Sequence, residues 1–170
     1  MKALIISADL FEDSELLVPY YRLLEEGIDV DIASISRGKI VGKRTYEIEA
    51  TKSLKEVNPN DYALLILPGG KAPAVIRQEK EALDIAKAFF ARNKLVATIC
   101  HGAQTLISAG LVKGRHVTCY KAVAEEMKDA GANYEDKEVI VDGNLISSRQ
   151  PSDIPVFCRE IMKNIKAAKL

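Results

Sequence analysis

The chain has little of the chemistry that usually marks a function. Only two histidines and three cysteines occur in 170 residues, His101 and His116, and Cys100, Cys119 and Cys158. No CxxC, HExxH or acidic calcium loop appears, so no dedicated zinc or calcium site is expected. An odd cysteine count in a chain of this size argues against a disulfide framework. Net charge is absent too: Lys+Arg and Asp+Glu both number 24. There is no basic stripe and no aromatic residue interleaved with cations, so specific nucleic-acid binding is not expected. No apolar run reaches membrane-spanning length, and a cytoplasmic protein with no membrane partner is expected. Neither a Gly-Lys-Ser/Thr phosphate loop nor a GxGxxG turn occurs, and no cofactor is expected.

What is present is an ordinary globular balance, 48% hydrophobic and 28% charged, with length for one full core. One domain over residues 1–170 is expected, with no linker or low-complexity stretch. Apolar runs at 2–8, 62–67 and 95–99 and a partly alternating stretch at 28–35 read as strands, the first as a buried parallel one. Helices are expected at about 14–26, 75–92, 101–110, 121–130 and 151–166, several of them ending at a glycine. Residues 40–50 read as a small excursion of one or two strands. A short strand is expected at 116–119. Asp142-Gly143-Asn144 is a hairpin signal between 138–141 and 145–148. This alternation predicts an α/β three-layer sandwich. Its central sheet is mostly parallel with helices on both faces, and a small antiparallel hairpin is added late.

In such sheets ligands bind beyond the carboxyl ends of the strands. Three ends carry unusual chemistry: Glu12 and Asp13 after the first, Gly69-Gly70 after Leu67, and Cys100-His101-Gly102 after Ile99. The last reads as a nucleophile elbow, a sharp strand-to-helix turn that exposes a side chain above the sheet. Its free N–H groups and the helix dipole are expected to lower the Cys100 thiol pKa. Glu12 is a candidate proton donor to the sulfur, with helix N-terminal electrostatics as its plain alternative; Asp13 reads as a cap. Gly69 and Gly70 are candidates for backbone donation to an oxyanion, with the His101 N–H as the second donor. A direct Cys100–His101 side-chain contact is not dictated, because adjacent helical residues do not face each other. Tyr120 is a candidate for the same mouth, while Cys119 and Cys158 read as packing residues.

Four segments, in this order, carry a resemblance: Ala8 to Glu15, Leu67-Pro68-Gly69-Gly70-Lys71-Ala72-Pro73, Ala97 to Gly110, and Asp142-Gly143-Asn144 through Ser147-Ser148-Arg149. They are similar to the PfpI-type intracellular protease family, within the superfamily that includes the Parkinson's-associated oxidative-stress protein. The resemblance spans nearly the whole chain. It implies a flavodoxin-like sandwich, a strained Cys100, a Glu12–Cys100 hydrogen bond, and an oxyanion hole from the Gly70 and His101 amides. It also implies a homodimer or a hexamer built from dimers. Peptidase members carry an acidic residue after Pro-Gly-Gly-x-Ala-Pro that orients the histidine of a neighbouring subunit. That position here is Ala74, and Glu79 and Glu81 are out of register.

The departure at Ala74 leaves Glu12, Cys100 and His101, the set that glyoxalase- or deglycase-type members resemble. The leading expectation is a cofactor-free cysteine enzyme on small reactive carbonyls, turning methylglyoxal into lactate. A cysteine peptidase or amidase acting on a short peptide is the first alternative. A non-enzymatic redox sensor or chaperone-like stress protein is the second.

Overall fold

The computed structural model describes residues 1–168, so the last two positions of the expected 1–170 domain lie outside the described residues. The strands are β1 (Lys2–Ile6), β2 (Asp29–Ser34), β3 (Gly38–Val41), β4 (Glu47–Ala50), β5 (Lys52–Ser53), β6 (Leu64–Leu67), β7 (Leu95–Ile99), β8 (His116–Val117), β9 (Asn133–Tyr134), β10 (Val139–Asp142) and β11 (Leu145–Ser148). The helices are α1 (Asp13–Glu25), α2 (Ala72–Ile76), α3 (Lys80–Ala91), α4 (Ala103–Ser108), α5 (Ala124–Asp129) and α6 (Ile154–Ala167).

Seven strands form the main sheet in the order β10-β11-β7-β6-β1-β2-β5. Every pairing in it is parallel except β10 with β11. The middle of the sheet is apolar except for Thr98: Ala3 to Ile6, Leu64 to Leu67 and Leu95 to Ile99 are all buried. That continuity is what two covered faces require. Helices α1 and α6 pack together on one face, and α3, α4 and α2 on the other. The result is an α/β three-layer sandwich with a mostly parallel sheet and one antiparallel hairpin, as expected. No helix among the described residues is long and apolar enough to cross a membrane.

Differences from the sequence reading are local. The helix expected over 75–92 is two helices, α2 and α3, separated at Arg77 to Glu79. In α3 the buried residues Ala82, Ile85, Ala86 and Phe89 hold one stripe. The excursion at 40–50 is the antiparallel hairpin β3–β4, outside the main sheet. The two-residue strands β5 and β9 were not anticipated.

Chain order reverses between β6 and β1: β2 lies on one side of β1 and β6 on the other. Crevices open at such a reversal, beyond the strands' carboxyl ends. The turns that leave β1, β6 and β7 meet there, joined by the Glu12 N–H donating to the Gly69 carbonyl at 3.1 Å.

Candidate active site

Cys100 sits in the left-handed region at φ 61°. A non-glycine residue pays roughly 1–2 kcal/mol for that conformation. The strain comes from the turn itself. Strand β7 ends at Ile99, a single 3-10 turn covers Cys100–Gly102, and α4 starts at Ala103. The turn aims the Cys100 side chain above the sheet while leaving the residue only 8% exposed. It also brings Sγ within 3.3 Å of His101 Nδ1. That contact is impossible for neighbours on a regular helix, and the positive φ makes it possible here.

The backbone N–H groups of Gly70 and His101 lie near the Cys100 sulfur and favour its thiolate. Gly70 takes φ 87°, and a side chain there would collide with the Glu12 amide. A Cβ on Gly69 would lie 2.5 Å from Glu15 Oε1 and 2.8 Å from the Cys100 Cβ. Two glycines in succession are therefore what lets this turn approach the elbow.

The carboxyl beside the sulfur is Glu15, and this corrects the expected Glu12–Cys100 hydrogen bond. Glu15 is fully buried. Its Oε1 accepts the Gly69 N–H at 3.0 Å. The carboxyl lies beside Cys100, the two meeting across Gly69. Its Oε2 has no hydrogen-bond partner among the described residues. Glu12 turns away as the residue before α1 and pairs with Lys43, Nζ to Oε2 at 3.1 Å. The register explains the exchange. Three residues into the helix, Glu15 falls on the stripe that Leu16, Pro19 and Leu23 bury, whereas Glu12 stays at the rim.

Electrostatics follow from that burial. Desolvation pushes the Glu15 carboxyl up to about 8, so it carries its proton at neutral pH. Burial pushes the Cys100 thiol up to about 12, and a charged Glu15 adds to the rise. The expected lowering of this thiol is thus reversed: the amides of His101 and Gly70 pull it down, but loss of water outweighs them. A protonated Glu15 removes the like-charge repulsion and supplies a donor to the sulfur. His101 is shifted down, by burial first and Lys43 second, which keeps its imidazole neutral and able to take a proton.

Tyr120 lies at the mouth, its ring centroid 5.0 Å from that of His101, with its N–H on the Cys100 carbonyl at 3.4 Å. Ala74 is exposed on α2. Behind the mouth, Arg77 pairs with Glu126 and donates to Ser108 Oγ at 2.8 Å, and Gln104 reaches Glu126 at 3.4 Å. This network ties α4 and α5 to the residue that follows α2. Cys119 is fully buried and Cys158 half-buried, with burial raising their thiols to about 12 and about 11. Sequence reasoning missed Glu15, Lys43 and the Arg77–Glu126 pair. A glutamate on the apolar stripe of α1 was the one available signal.

An α/β sandwich with a strained cysteine elbow at its topological switch point, facing two backbone amides, defines a class of protein with one thiol at its centre. The chain belongs to the DJ-1/PfpI family, whose model matches residues 1–164. It is 48% identical over 166 residues to the deglycase PfpI of Pyrococcus furiosus, covering 98% of this chain and 100% of that one. It is 37% identical over 169 residues to protein/nucleic acid deglycase 2 of Escherichia coli, covering 98% of each. Among solved structures, a two-domain protein of Anabaena variabilis with DJ-1/ThiJ/PfpI-like and ferritin-like domains superposes with a TM-score of 0.96 at 32% identity. That match covers 98% of this chain and 50% of the other.

Proposed function

We propose that this protein is a cofactor-independent cysteine enzyme acting on small reactive carbonyls, with methylglyoxal converted to lactate. The observation that carries the reading is Cys100 at φ 61°, its Sγ 3.3 Å from His101 Nδ1 and faced by the Gly70 and His101 amides. His101 takes the thiol proton as sulfur adds to the aldehyde carbon. The C=O π bond breaks, and the new oxyanion lies against the two amides and receives that proton. In the resulting hemithioacetal, His101 removes the proton from the sulfur-bearing carbon and returns it at the adjacent carbonyl carbon, while the hydroxyl proton passes to the adjacent carbonyl oxygen. The product of that transfer is a thioester of lactate. Water cleaves the C–S bond, the thiol recovers its proton, and lactate leaves. Atoms balance as methylglyoxal plus water, with no redox partner. Glu15, beside the sulfur, keeps its proton throughout, so the proton transfer expected of Glu12 falls to His101.

Purified protein incubated with methylglyoxal is expected to form lactate, and Cys100→Ser to form none. No lactate above the buffer rate, or equal lactate from Cys100→Ser, overturns the proposal. Thiol-dependent cleavage of a fluorogenic peptide, lost in the same variant, moves the reading to acyl transfer by the same elbow and amides.

A further inference from the structure

Lys43 is brought to the rim of the site by a tether of its own. The Asp13 carboxylate, buried at the start of α1, accepts the Arg44 N–H at 2.9 Å and the Tyr46 N–H at 3.2 Å. Gly42 lies against that carboxylate so closely that a Cβ there would meet it at 2.5 Å. The Gly42 N–H bonds the Tyr46 carbonyl at 2.8 Å, and the Lys43 N–H bonds the Phe11 carbonyl at 2.9 Å. The β3–β4 turn is thus locked to the segment that leaves β1, and Lys43 stands where that segment meets the Gly69-Gly70 turn.

Three features suit this ammonium to a ligand. It is 36% exposed, so an entering molecule can reach it. Its charge acts on both Glu15 and His101, the two groups that flank the sulfur. Its one side-chain partner among the described residues is Glu12, through a single bond at 3.1 Å. An ammonium has three N–H donors, so two remain for an incoming acceptor. With Glu15 protonated, the floor of the site around Cys100 carries no carboxylate charge to repel an anion.

We propose that Lys43 is a carboxylate anchor. The site then favours carbonyl substrates that bear a carboxylate near the carbon that Cys100 attacks over methylglyoxal, which has none. The inference rests on Cys100 as the nucleophile and names the class of compound presented to it. Glu12 is the resting partner of the anchor and shares it when substrate enters.

The test alkylates Cys100 with iodoacetate and with iodoacetamide, two reagents of similar shape that differ in one carboxylate. In each, the sulfur forms a bond to the methylene carbon and iodide leaves. Rates at Cys100 are followed by peptide mass spectrometry, and the readout is the iodoacetate-to-iodoacetamide ratio. That ratio cancels changes in thiol ionisation, which move both rates alike. Lys43→Met is expected to lower it about threefold to tenfold, the range for one charge-assisted contact at a half-exposed site. Lys43→Arg keeps the ratio, and Glu12→Gln raises it. Urea midpoints of the variants show that the fold is retained. An equal ratio in wild type and Lys43→Met overturns the anchor, including the case where both rates fall together. Failure of both reagents to label Cys100 sinks the nucleophile reading and the anchor with it, whereas labelling by iodoacetamide alone overturns only the anchor.

Discussion

Glu15 accepts the Gly69 N–H at 3.0 Å, so the carboxyl beside Cys100 is held by the same turn that delivers the Gly70 amide. Burial, which outweighs the lowering effect of this bond, links proton binding at Glu15 to stability. Folded Glu15 keeps its proton to about pH 8, against an ordinary value of 4.5. Between those values the native state binds more protons than the unfolded state. Stability is therefore full below about pH 4.5 and falls as pH rises toward 8, by at most about 1.4 kcal/mol per pH unit from this group. Glu15→Gln is neutral at every pH and lacks this component. Urea unfolding at pH 5, 6, 7 and 8 is expected to show wild type losing ground to Glu15→Gln as pH rises. Parallel curves remove Glu15 as a buried acid.

Gly69 is the gap in which that carboxyl and the thiol meet. An added methyl would press on Glu15 Oε1 and on the Cys100 Cβ together. Gly69→Ala is expected to destabilise the fold by about 1–3 kcal/mol, the usual cost of overpacking. Iodoacetamide labelling of Cys100 is expected to change in the same variant, because the methyl displaces the elbow. A variant with wild-type stability and wild-type labelling contradicts the geometry.

The sheet was legible because its central strands are uninterrupted apolar runs with turn residues at their ends. Leu64–Leu67 shows this at full length. The break between α2 and α3 was not legible. Ile76 and Leu83, seven residues apart, fit a single helical period, and only the polar stretch Arg77 to Glu79 marks the interruption. The strands β5 and β9 are two residues each, too short to carry an alternation. At the site, an apolar run ending in Cys-His-Gly is a local signal, so the elbow could be read directly. The choice between Glu12 and Glu15 was not local. It depends on where α1 begins and which way its first turn faces, and an error of three residues carries a carboxylate from the core to the rim. The tether that places Lys43 joins Asp13 to residues about thirty positions away, a contact with no sequence period.

The left-handed backbone of Cys100 gives a stability test independent of activity. Alanine at this position keeps the steric cost of φ 61°, and glycine does not. Cys100→Gly is expected to be more stable than Cys100→Ala by about 1 kcal/mol, reversing the order found at ordinary positions. Urea midpoints of the two variants decide the point. Alanine equal to or above glycine means that the elbow is relaxed in solution.

Asp13 separates the placement of Lys43 from its charge. The carboxylate satisfies two backbone N–H groups of the β3–β4 turn and fills the space beside Gly42. Asp13→Ala leaves those donors without their partner and is expected to cost about 1–3 kcal/mol. Asp13→Asn keeps an acceptor oxygen for one donor, but its amide NH2 faces the other, so an intermediate loss is expected. Hydrogen exchange at Arg44 and Tyr46 is expected to accelerate in both variants, while the amides of β7 keep their protection. If the turn exchanges no faster without the carboxylate, Asp13 is only a helix-terminus charge. Lys43 then owes its position to the hairpin alone.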